Sequence, residues 1–220
     1  MKVLASSLAV FAALVLTPVA FAHEGQGHAV VPSPAPATTV NAKQAATRAV
    51  LRDLWVEHVF WIRNYVTASA AHDAKQQAVA ADQVVANAKA ISGAVGSFYG
   101  QAAGDRMLAL LAGHWGAVKD YSDATFVAKN ATAQQAATTR LIDNAKAIAA
   151  FLAKANPNLP EATLVGLLSA HGAHHIAQIQ QLANGDYAAE AKTWAAMRAH
   201  MFTIADALGD ALAKQFPARF

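Results

Sequence analysis

The chain has 220 residues, a formal charge of +3, and 55% hydrophobic against 14% charged residues. That balance excludes a disordered chain, and the basic residues are too scattered to form a nucleic-acid or anionic-membrane patch. There is no cysteine, which excludes disulfides, thiolate metal sites and cysteine catalysis and leaves stability to packing.

The N-terminal stretch predicts export. Lys2 supplies a positive start, Val3 to Leu16 form an apolar run broken by Ser6 and Ser7, and Ala20-Phe21-Ala22 is an A-x-A cleavage site. The run is short for a membrane span. A signal peptide over residues 1–22 is expected, with the mature protein periplasmic or secreted. Cleavage there makes His23 the new N-terminus, where amine and ring together suit copper. The proteins that use an N-terminal histidine in this way, copper-dependent polysaccharide oxygenases among them, are β-sandwiches, a fold this sequence does not predict. Residues 23–41, with alternating prolines and a further histidine at His28, read as a flexible Pro/Ala-rich linker.

From Ala42 onward the texture is alanine-rich and helical, predicting an all-α bundle domain over residues 42–220. Punctuation divides it into about six helices, over 42–71, 73–97, 104–127, 131–155, 160–184 and 187–214. Asp73, Asn130 and Asp186 suit N-caps, Gly100 and Gly104 bracket a turn, and Pro160 suits a first turn. No later segment is apolar enough to be a membrane helix.

An internal repeat runs through this domain. Asn87-Ala88-Lys89-Ala90-Ile91 recurs as Asn144-Ala145-Lys146-Ala147-Ile148, and the same 57-residue shift carries Leu110-Leu111 onto Leu167-Leu168 and His114 onto His171. A fainter third copy aligns Leu54 and His58 with Leu110 and His114. The chain then reads as two clear, possibly three, tandem helical hairpins of about 57 residues, placing His58 with Asn87, His114 with Asn144 and His171 with His200.

Each histidine falls on an apolar helical stripe. His58 lies among Leu51, Trp55, Ile62 and Tyr65, His114 among Met107, Leu111, Val118 and Tyr121, and His171 among Leu164, Leu168 and Leu182. Two readings compete. In the first, the three rings converge on a transition metal (zinc, copper, iron or nickel) or a small ligand, with Glu57, His200 or Asp206 completing the coordination. In the second, each histidine bonds the Asn or another polar group of its neighbouring helix and only fixes helix register in a structural or interaction module. His171 and His175, four residues apart, can also chelate one ion from one helix face. With no HExxH, nucleophile elbow, phosphate loop or paired carboxylates, a metalloenzyme ranks third and non-catalytic binding first.

The blocks LWVEHVFW (54–61), FYGQAAG (98–104), NPNLP (156–160) and KQFPARF (214–220) resemble those of an uncharacterised family of bacterial helical proteins with Trp-x-Glu-His, Phe-Tyr-Gly, Asn-Pro and Gln-Phe-Pro blocks in this order. The resemblance covers about residues 50–220. It implies a helical fold and draws attention to Glu57, His58, His114 and His171, and it carries no activity.

Overall fold

The computed structural model describes residues 41–220. The expected signal peptide, the linker up to residue 40, His23 and His28 lie outside the described residues, and Asn41, the linker's expected last residue, caps α1. Within them the chain forms six α-helices: α1 Ala42–Ala70, α2 Ala74–Tyr99, α3 Gln101–Phe126, α4 Ala131–Ala155, α5 Glu161–Ala183 and α6 Tyr187–Gln215. A short 3-10 turn, Pro217–Arg219, follows, and no strand occurs among the described residues. None of the helices is long and apolar enough to cross a membrane.

Local chemistry sets the helix starts. Asn41, Asp73, Asn130 and Asp186 each accept hydrogen bonds from backbone N–H groups of the first turn, satisfying donors that the helix itself leaves free. Asn156 ends α4, and Pro160 stands one residue before α5, at its N-cap.

The turn between α2 and α3 departs from expectation. It is the single residue Gly100, at φ +88, and Gly104 lies inside α3 rather than at the turn. Gly104 is small because α2 crosses it closely. A Cβ there would sit 2.9 Å from the Ser92 carbonyl oxygen and 3.3 Å from the Gly96 Cα.

The helices are arranged in two shells. The odd-numbered helices α1, α3 and α5 touch one another, whereas α2 bridges α1 and α3, α4 bridges α3 and α5, and α6 bridges α5 and α1. The result is a closed ring of hairpins around an inner trio. Side chains four and three apart along the inner helices therefore meet near the centre. Two apolar cores form there. One gathers Trp55, Met107, Leu111, Leu164 and Leu168 with Ile91, Ile148 and Ile204 from the outer helices. The other gathers Ile62, Tyr65, Val118, Tyr121 and Ile179.

Charged pairs close the ring where α6 meets α1. Arg48 bonds Asp210, Arg52 bonds Asp206, and Arg63 holds Glu190 through two hydrogen bonds of 2.6 and 2.7 Å. The first two pairs are partly exposed and contribute little each. Glu190 is buried, also accepts from Gln178 at 3.0 Å, and has its carboxyl pKa lowered chiefly by its hydrogen bond to Arg63. Removing Arg63 would strand a buried charge, which is costly.

One equivalent hydrogen bond recurs in each hairpin. The Asn87 amide donates to the Leu54 carbonyl at 3.0 Å, Asn144 to the Leu110 carbonyl at 2.9 Å, and the His200 ring to the Leu167 carbonyl at 2.8 Å. Each acceptor lies one helical turn before His58, His114 or His171 respectively. The outer helix of each hairpin is thus tied to its inner helix at the level of the histidine. The tie does not involve that histidine, so the expected His–Asn pairs are replaced by side-chain-to-backbone bonds. An amide opposite a helix reaches a carbonyl lone pair that the intrahelical bond leaves free.

Candidate metal centre

The two apolar cores are separated by histidine. His58 on α1, His114 on α3 and His171 on α5 are joined by His175, one turn further along α5. Their exposures are 2%, 6%, 3% and 3%. A ring nitrogen from each lies within 4.8 Å of the other three. Ring centroids are 5.5 Å apart for His58 and His114, 5.7 Å for His58 and His171, 5.3 Å for His114 and His171, and 4.5 Å for His171 and His175.

The fold makes this convergence by spacing. Along the inner helices the stripe residues are Trp55, His58 and Ile62 on α1, Leu111, His114 and Val118 on α3, and Leu168, His171 and His175 on α5. Three imidazoles occupy the same level, and on α5 the next level carries a fourth where α1 and α3 carry aliphatic side chains. The Trp55 and His58 rings meet in a T-shaped arrangement, with centroids 5.8 Å apart and planes at 82°.

Hydrogen bonding leaves the cluster unsatisfied. His171 Nε2 and His175 Nε2 are 3.2 Å apart and share one proton-mediated contact. Both nitrogens of His58, Nε2 of His114 and Nδ1 of His171 are buried without a hydrogen-bond partner. Each such group costs about 1–3 kcal/mol, and folded proteins contain few of them.

Burial also fixes the charge state. Desolvation, with mutual repulsion among the rings, pushes the pKa of His58 down to about 3 and, by desolvation, that of His114 down to about 4. His171 and His175 are pushed well below the usual histidine value, again mainly by burial. All four rings are therefore neutral at physiological pH and offer lone pairs, the form in which imidazole binds a metal.

Space and geometry narrow what these lone pairs can hold. A cavity of about 10 Å³, bounded by Trp55, His58, Leu111, His114, Leu168 and His171, adjoins the cluster. This is about the room for one water-sized guest. Ligand nitrogens about 2.0–2.1 Å from a tetrahedral ion are about 3.3 Å apart. The 3.2 Å between His171 and His175 matches that edge, and the four donor atoms as a set lie within 4.8 Å of one another.

The remaining sequence candidates stand elsewhere. Glu57 is exposed and accepts from Asn87 Nδ2 at 3.1 Å and Trp61 Nε1 at 3.4 Å. His200 holds the Leu167 carbonyl, and Asp206 is paired with Arg52. None of these three belongs to the group of ligand atoms that the bundle brings together. His175 does, and its signal was the four-residue spacing from His171 on one helix face.

No protein-family model matches this chain, and no curated protein or solved structure gives a significant match to it.

Proposed function

We propose that the protein is an exported metal-binding helical bundle that holds one transition-metal ion between His58, His114, His171 and His175 without turning it over. The observation that supports this reading most strongly is the meeting of four neutral, buried imidazoles from three helices, with at least four of their nitrogens unpartnered. Imidazole-only donors favour zinc, copper, nickel or iron over magnesium or calcium. Four protein ligands close a tetrahedral shell, the pattern of holding sites; catalytic sites keep a position open. The scale of the adjoining space favours an ion over the alternative of a small organic ligand. Export rests on the leader-like residues 1–22, and descent of the three hairpins from one ancestor on the shared 57-residue offsets together with the recurring bond to Leu54, Leu110 and Leu167.

The test is metal analysis of untagged protein purified from its native compartment, followed by calorimetric titration with zinc, copper and nickel. One equivalent of tightly bound metal is expected. Protein that arrives metal-free and shows no saturable binding beyond its His23–His28 tail would leave the register-fixing structural module as the better reading.

A further inference from the structure

His200 departs from the other two hairpins. Asn87 and Asn144 tie their helices to the Leu54 and Leu110 carbonyls with an amide, and His200 makes the same tie to Leu167 with a ring. An amide suffices for that bond, so the bond does not account for the imidazole. With Nε2 donating to the carbonyl, the neutral form of the ring keeps a free lone pair on Nδ1.

Opposite it stands His174 of α5. The two ring centroids are 5.5 Å apart, and His174 Nδ1 is buried without a hydrogen-bond partner. Both residues are only half-buried, so this pair lies at the α5–α6 surface. His174 is also the immediate chain neighbour of His175 and follows His171 by three residues. Two half-buried imidazoles thus adjoin two that are closed from solvent, with the same donor type throughout. The cavity beside the cluster is lined by apolar side chains, among them Trp55, Leu111 and Leu168.

We propose that His174 and His200 form a staging site that takes up the metal ion at the surface and passes it inward to His171 and His175. This rests on the reading that the four-histidine layer holds a metal. Two ligands bind more weakly than four, so an ion captured by the pair moves downhill into the core.

The experiment is stopped-flow absorbance of cobalt(II) mixing with metal-free protein, paired with chelator-driven release from the loaded form. The variants are His200→Asn, which keeps the bond to Leu167, and His174→Ala, which places there the residue found at Ala117 of α3. A route is crossed in both directions, so each variant should slow loading and release by the same factor, about tenfold or more. The equilibrium Kd should stay within about twofold of wild type. Unchanged rates in both variants would overturn the staging site, as would a Kd that rises while the loading rate holds. Thermal melting of the metal-free variants checks their fold, and His174→Ala carries the test if His200→Asn is destabilised. If wild type takes up no cobalt(II), the four-histidine reading falls and the staging site falls with it.

Discussion

At one end of the bundle Asn156 is 1% exposed, and its polar atoms are engaged. Its amide donates to the Tyr99 hydroxyl at 3.0 Å and its carbonyl accepts from the Asn158 N–H at 2.9 Å. Tyr99 in turn donates to Gln215 at 2.8 Å, and Gln215 donates to the Ala155 carbonyl. In the middle of the same bundle His58 is equally buried and neither of its ring nitrogens has a partner. The first region has the form of a structural network, satisfied by the protein alone. The second is a set of buried lone pairs held in place by packing, several of them without a partner in the protein. The contrast separates polar groups that maintain a fold from polar groups that the fold presents.

Four measurements probe that contrast. The largest effect is expected from His114→Ala on metal affinity. Removing supporting groups around a site costs about 10–100-fold, so loss of a ligand should exceed about 100-fold. In titration, stoichiometric binding should disappear. Metal at 100 times Kd should stabilise wild type by about 2.7 kcal/mol and leave the variant unmoved.

Asn156→Ala should lower stability by about 2 kcal/mol with or without metal, because the Tyr99 hydroxyl and the Asn158 N–H each lose a partner. Urea denaturation in chelator and in excess zinc gives the comparison. A loss that depended on zinc would erase the distinction between the two regions.

Acid should act on the histidine layer. The folded pKa values of His58 and His114, about 3 and about 4, lie below the unfolded value of 6.5. As pH falls, the unfolded chain takes up protons first, so metal-free protein loses stability from about pH 6.5 downward until the folded rings titrate. Each histidine adds a slope of about 1.4 kcal/mol per pH unit within that window. Equilibrium unfolding at pH 7 and pH 5 reads it, and His114→Ala should flatten the slope.

The smallest effect is expected from His58→Leu without metal. Replacing an unpartnered buried ring by an apolar side chain of similar size should be neutral, or stabilising by up to about 1 kcal/mol. A clear destabilisation would show that His58 serves the fold as Asn156 does.

Much of this architecture was legible in the residues. Asp73, Asn130 and Asp186 mark helix starts because a short polar side chain is the cheapest partner for free N–H groups. His58, His114 and His171 stood out because polar residues inside apolar stripes must face the core. Gly104 was misplaced because close approach of two helices selects glycine as a turn does, and sequence spacing does not separate the two. Glu57 adjoins His58 in the chain, yet one residue is about 100° around a helix, which turns it to a different face. Asp206 is held by Arg52, 154 residues away, and no local pattern exposes such a partner. His175 carried the chelating spacing. It gained nothing from the repeat, since Ile62 and Val118 fill the corresponding places.

The charged pairs between α1 and α6 join residues 127 to 162 positions apart, whereas the ties within each hairpin span 33 or 34. Closing a longer loop is entropically costlier, so hairpins form ahead of the ring. The four histidines come from all three hairpins, with His58 near the start of the fold and two near its end. Metal capture would then be an assembly sensor: a chain in which the last hairpin has yet to dock offers at most two of the four ligands, and tight binding arrives only with the completed ring.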